Sequence, residues 1–148
     1  MNTRFAIACL ILFVATPAGA APVTPGGAAA IARSIGPCGD PCTVAASNGG
    51  RIVDFTYAGD AIRSGARQKL VIDGYCASAC MVLADRARPR ACITSRAVFA
   101  YHKTNFNRPI PLRSDLRHWI VSHGGYPEFT GTPGVMPNQV AQQFWPQC

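Results

Sequence analysis

Between Lys69 and His102 the chain alternates in a way that only a layered α/β fold absorbs. "KLVIDG" (Lys69 to Gly74) is a continuous apolar run bounded by glycine, too short for a helix, and reads as a buried strand. Ser78 to about Arg86 follows with Ala79, Met81, Val82, Leu83 and Ala84, mostly good helix formers. "RACI" and "AVFAYH" are two further strand-like runs, separated by the polar residues Thr94 to Arg96. Upstream, "TVAAS" (Thr43 to Ser47) is a short strand ending in "NGG", which gives the backbone freedom for a sharp turn. Across Arg51 to Ala66, apolar Ile52, Phe55, Ala58 and Ile62 recur at helical threes and fours. Strand, glycine turn, helix, strand, serine, helix, strand is the alternation of an α/β domain. Downstream, Ser114 to His123 reads as a helix closed by Gly124-Gly125, and "PNQVAQQF" as a last short helix before Cys148.

Residues 1–20 are read as lying outside that domain. Arg4 precedes an apolar run, Phe5 to Ala15, which is broken by Thr16 and Pro17 and followed by "AGA". This is the pattern of a secretory signal peptide, and the run is too short to span a bilayer. Cys9 lies inside the apolar core rather than after it, which argues against a lipoprotein. Residues 21–37, rich in Pro, Gly and Ala, are expected to be a flexible leader with a short helix around Ala28 to Ser34, and residues 38–148 the domain proper.

The expected destination is the periplasm or the exterior. Without residues 1–20 the chain keeps thirteen Lys and Arg against seven Asp and Glu, a net +6 with neutral histidines. The basic residues are scattered, with no cluster interleaved with aromatics, so nucleic acid is not an expected partner. Six cysteines remain: Cys38, Cys42, Cys76, Cys80, Cys92 and Cys148. An even number in an oxidising compartment implies disulfides throughout. Cys80 on the helix after Ser78 and Cys92 on a following strand make the first expected bridge, with Cys38–Cys42 next and Cys76–Cys148 left over. Zinc is not expected: no CxxC pair occurs and no matching histidine pair lies nearby. His118 and His123, five apart on one helix, have the wrong spacing for a shared metal face. No cofactor is called for.

Ser78 carries the functional question. A serine hydroxyl is a poor nucleophile until a base takes its proton, and the oxyanion that forms needs fixed donors. Ser78 stands where a strand gives way to a helix, so the backbone N–H of Ala79 is an oxyanion donor by position. Gly49-Gly50 in "SNGG" can bring a second donor close. His102, at the end of a later strand, is the candidate base. The plainer readings are a helix N-cap at Ser78, an ordinary turn at Gly49-Gly50 and a strand-end histidine at His102. Lys103 points to the opposite strand face from His102, and Lys69 begins a strand, so neither suits a Ser-Lys dyad.

"SNGG", "GYCASAC" and "AVFAYH" resemble, in order and spacing, the landmarks of the Clp protease proteolytic subunit and crotonase-like superfamily. The pattern C-x-S-A-C, followed by a further Cys and a strand ending in His, is closest to exported, cysteine-bearing proteins of that group. The resemblance covers Thr43 to Lys103. A weaker echo, "W-I-x-x-x-G-G" with a methionine-led helix and a terminal cysteine, extends to Cys148. It implies a small, disulfide-stapled βα spiral, shorter than the full protease. Ser78 would be the nucleophile, His102 the general base, and Gly50 and Ala79 the oxyanion donors. The superfamily's triad Asp precedes the methionine-led helix, but "FTGTPGVM" here has no carboxylate. Of the two acids after His102, Asp115 and Glu128, Glu128 is nearer to that place and is the candidate third member. Thr130 and Thr132 are hydroxyl alternatives.

The expected function is therefore an exported serine-hydrolase-like domain acting on peptide or ester bonds through a Ser-His dyad or incomplete triad. The rival is a non-catalytic secreted binding or structural domain on the same scaffold. A crotonase-type acyl-CoA enzyme fits less well, because CoA is not expected outside the cytoplasm. For the same reason no ATP-driven unfoldase partner is implied.

Overall fold

The computed structural model describes residues 25–65 and 68–148; the signal-peptide reading of residues 1–20 falls outside them. The chain forms a mixed α/β domain around a five-stranded sheet. In chain order the elements are α1 (Pro25–Ile35), β1 (Cys42–Ser47), α2 (Ile52–Ser64), β2 (Leu70–Ala77), α3 (Ala79–Arg86), β3 (Ala91–Ile93), β4 (Val98–Tyr101), α4 (Ser114–Ser122), β5 (Gly134–Met136) and α5 (Asn138–Ala141).

β2 is the centre. It runs parallel to β1 on one side. On the other side its first half pairs with β3 and its second half with β4, both parallel. β5 then closes the far side of β4 antiparallel, Phe99 opposite Met136. β2 is buried at Leu70, Ile72, Cys76 and Ala77, as a strand between two neighbours must be. Helix α2 packs on α3 and on α1. Its Phe55, Ala58 and Ile62, the residues picked out by helical spacing, are all buried.

Three expectations are corrected. β2 does not stop at Gly74 but runs on to Ala77. The glycine instead admits an irregularity in β1 between Val44 and Ala46: a Cβ there would overlap the carbonyl of Ala45. The methionine expected to lead a helix, Met136, closes β5, and α5 starts at Asn138 after Pro137. In the segment read as a leader, α1 begins at Pro25, three residues earlier than the short helix expected there, and buries Ala30 and Ile31 in the common core.

The C-terminal segment is an integral wall. Trp145 is buried and stacks on Phe99 with ring centroids 4.3 Å apart, while its indole N–H donates to the Ala84 carbonyl at 3.0 Å. Arg88 lies over the same indole, 4.9 Å from its ring centroid. Arg88 also pairs with Asp85 at 2.6 Å and with Asp115 at 2.8 Å. Asp85 is fully buried and accepts the Arg113 backbone N–H at 2.7 Å. Burial pushes its carboxyl up; the Arg113 amide and then the Arg88 guanidinium pull the other way.

The cysteines bridge in a different pattern from the one expected. Cys38–Cys42, Cys76–Cys80 and Cys92–Cys148 are the three pairs, with Cα separations of 4.9, 5.2 and 5.1 Å. Cys38–Cys42 matches. Cys80–Cys92 and Cys76–Cys148 do not, because of strand register. Cys92 lies opposite Val71, at the start of β2, whereas Cys76 is near its end. Five residues of strand put them about 16 Å apart along β2. At the near end, Cys92 meets the chain terminus, where the Cys148 N–H donates to the Ile93 carbonyl at 3.0 Å.

Candidate active site

β1, β2 and β4 are parallel, so their carboxyl ends share one edge of the sheet. The segments that follow them are Asn48 to Arg51, Ser78 and His102. In open α/β sheets this is the edge where ligands bind, because the chain leaves each strand there with unpaired backbone groups and helix N-termini. A cleft of about 540 Å3 lies at this edge. Its lining includes Gly49, Gly50, Ser78 and His102, and also Arg51, Phe106 and Phe129. Gly49, Ser78 and His102, 24 to 53 positions apart in sequence, are thus gathered by strand register.

Ser78 occupies the turn between β2 and α3 with φ 54° and ψ −116°. This is the conformation of the first central residue of a type II′ turn, where glycine is the usual occupant. A side chain there costs on the order of 1–3 kcal/mol and persists only where the surroundings enforce it. Three constraints do so. The Ser78 N–H donates to the Ala100 carbonyl of β4 at 2.8 Å. The Cys76–Cys80 bridge closes the turn over the serine. Gly49, at φ +83°, abuts the turn so closely that a Cβ on it would stand 2.6 Å from the Ala77 oxygen and 2.9 Å from the Ala79 nitrogen. A strained strand-to-helix turn carrying a serine is the geometry of a nucleophile elbow. The plainer reading, a capping serine, fails on one point: the Ser78 side chain makes no capping hydrogen bond.

Ala79 is the first residue of α3 and is buried beneath the turn. Its N–H belongs to the helix N-terminus, where amides lack intrahelical partners. The loop glycine nearest to that N–H is Gly49, while Gly50 lines the cleft beside it. The Gly49 amide donates to Ser47 Oγ at 3.3 Å.

His102 follows β4 directly and is half-buried. Its Nδ1 lies 2.5 Å from the Lys103 carbonyl oxygen. A carbonyl only accepts, so in the neutral ring this contact favours the tautomer with the proton on Nδ1 and Nε2 as the acceptor. The ring packs edge-on against Phe129, centroids 5.3 Å apart. Glu128, the candidate third member, is exposed and forms an ion pair with Lys103 Nζ at 2.5 Å. The ring's polar contact is thus a backbone carbonyl, not a carboxylate or the hydroxyl of Thr130 or Thr132. His118 and His123 lie on or beside α4, away from this cleft, with His123 stacked on Trp119.

Sequence reasoning missed the cleft's walls. Phe106 and Phe129 are 78% and 53% exposed, among the most exposed large apolar residues described, and both face the site. The signal in the sequence is an aromatic residue set in each of two polar, Pro-containing loops. Arg51, at the start of the helical pattern of α2, also lines the cleft, and no acidic residue does.

No family profile matches the chain, and no curated protein or solved structure matches it significantly. Among the described residues, no helix is long and apolar enough to cross a membrane.

Proposed function

We propose that the protein is an exported serine hydrolase of the Clp/crotonase-like type, acting on ester or peptide bonds through a Ser78–His102 dyad. The observation that carries this reading is Ser78 itself. A non-glycine residue is held at positive φ, without a side-chain capping bond, in the lining of a cleft that His102 also lines. Strain of this kind has no structural benefit for a capping serine, whereas it presents a nucleophile's hydroxyl.

In this reading His102 Nε2 takes the Ser78 proton as Oγ attacks the substrate carbonyl carbon. The Ala79 and Gly50 amides stabilise the oxyanion. The imidazolium then gives its proton to the leaving group, and water repeats the sequence on the acyl-enzyme. The Lys103 carbonyl orients the imidazole but carries no full charge to stabilise the imidazolium. Hydrolysis is therefore slow, about 10⁴-fold below a full triad, and favours activated esters and short peptides. Export, and the independence from CoA and from an ATPase partner, rest on the sequence pattern. Turnover of short-chain nitrophenyl esters tests the reading: the wild type hydrolyses them above the Ser78→Ala background, and equal rates would refute it.

A second reading has its own observation. Phe106 and Phe129 expose apolar rings on the cleft, as a binding surface would. A non-catalytic binding domain would use the same cleft and be indifferent to Ser78→Ala.

A further inference from the structure

The Cys76–Cys80 bridge is placed differently from the other two. Cys92–Cys148 fastens the chain terminus to β3, and Cys38–Cys42 pins the turn before β1. Cys76–Cys80 joins the end of a strand to the first turn of a helix, and the residue midway between its two cysteines in sequence is Ser78. Both sulfur-bearing residues are fully buried, so the bridge does not serve as a surface staple. Its burial makes it the most protected of the three, since Cys148 is exposed.

The backbone inside this ring is the strained one. A serine at φ 54° relaxes toward negative φ when nothing opposes it. Relaxation would rotate the peptide planes on either side. The Ser78 N–H would swing off the Ala100 carbonyl, and the Ala79 N–H off the site where an oxyanion would form. The bridge spans both planes and holds the Cα atoms of Cys76 and Cys80, one residue beyond them on each side, 5.2 Å apart. The Gly49 packing and the Ser78–Ala100 hydrogen bond also oppose relaxation, but the bridge is the covalent constraint on the turn.

We propose that Cys76 and Cys80 are positioning residues for the Ser78 nucleophile, so that the site is assembled only when this bridge is oxidised. This rests on the hydrolase reading given above and adds an order of events to it. Formation of the bridge removes two protons and two electrons from the Cys76 and Cys80 thiols. The acceptor is a disulfide-bearing oxidant, which leaves as a dithiol. A chain whose thiols are still reduced is folded but not competent, and oxidation switches the nucleophile on. The protein is thereby silent in any thiol-reducing compartment and active in an oxidising one.

The test compares the double variant Cys76→Ala/Cys80→Ala with Cys92→Ala/Cys148→Ala as the control for loss of a bridge elsewhere. Two readouts are taken on each: the rate of fluorophosphonate labelling, and amide hydrogen exchange at Ser78. Circular dichroism reports whether each variant is folded. The expected result is a folded Cys76→Ala/Cys80→Ala protein labelled about 10²-fold more slowly, the loss typical of a misplaced reacting group. Its Ser78 amide should exchange at least about tenfold faster as the bond to Ala100 opens, while the control stays within about twofold on both readouts. If the first variant fails to fold, stepwise reduction of the wild type is followed by labelling and circular dichroism together, and loss of the fold on reduction of this bridge overturns the proposal of a folded but incompetent state. Labelling should then fall in step with alkylation of Cys76 and Cys80, not of Cys92 and Cys148. Unchanged labelling and unchanged Ser78 exchange without the bridge overturn the proposal. A wild type that is never labelled, but whose Ser78 exchange rises when the bridge is removed, would refute the hydrolase reading and leave the positioning role standing.

Discussion

Gly49 lies against the amide nitrogen of Ala79: a Cβ built on the glycine would come within 2.9 Å of that atom. The loop after β1 and the helix after β2 therefore meet where an oxyanion would sit. Gly49→Ala would put a methyl group over the candidate donor and also strain a residue at φ +83°. The expected outcome is a fall in ester turnover of about 10²-fold or more, the scale of losing one oxyanion donor. It should come with a destabilisation of about 1–3 kcal/mol. Turnover and a denaturant melt on the same sample separate the two effects. Turnover within about twofold of wild type would show that this contact plays no part in the chemistry.

Glu128 separates a triad from a dyad. It pairs with Lys103, whose backbone carbonyl holds the His102 ring. Glu128→Gln removes an exposed charge and leaves that carbonyl in place. Labelling and turnover should stay within about threefold of wild type, as expected for an exposed ion pair. A loss of about 10³-fold or more would mean that the carboxylate swings onto His102 during the reaction.

Asp85 is a buried charge outside the lining of the cleft. It is buried against Arg88 and the Arg113 backbone, and Arg88 is itself covered by Trp145. Asp85→Ala strands a partly buried guanidinium and should cost about 3–5 kcal/mol, visible as a lower urea midpoint. A cost below about 1 kcal/mol would show that Asp115 alone satisfies Arg88.

Tyr126 gives a signed pH dependence. Its buried hydroxyl has no hydrogen-bond partner, and burial pushes its phenol up to about 12. The folded value lies above the unfolded one, so the neutral phenol favours the fold. That contribution is complete below pH of about 10 and is lost as the pH climbs toward about 12. The melting temperature should fall across this window, and Tyr126→Phe should flatten the fall. Because the hydroxyl is unsatisfied, the substitution should cost little stability at neutral pH. An unchanged alkaline slope in Tyr126→Phe would assign it elsewhere.

The parts of the fold legible in the sequence were those written in local pattern. Helical spacing in Ile52 to Ile62, apolar runs at Leu70 and Phe99, and the glycine pair after Ser122 all identify their elements without tertiary context. Gly50, Ser78 and His102 were expected together from the resemblance of their motifs, not from strand order, and all three line one cleft. What failed depends on register. Strand β5 is three residues with a glycine and exists through pairing with β4, so no local pattern announces it. The bridge partners of Cys80 and Cys92 follow from which end of β2 faces β3, which composition does not encode. The strain at Ser78 is likewise a tertiary product, enforced by Gly49, Ala100 and the Cys76–Cys80 bridge together. Phe106 and Phe129 were passed over because an aromatic in a loop carries no periodicity.

The central claim is that Ser78 is a nucleophile and His102 its base. Fluorophosphonate labelling with the modified residue mapped by mass spectrometry tests it most directly. The account predicts a single phosphonyl adduct on Ser78 of the oxidised protein, absent in Ser78→Ala and at least about 10²-fold slower in His102→Ala. No adduct on the oxidised wild type, or an adduct on another residue that survives Ser78→Ala, would contradict it.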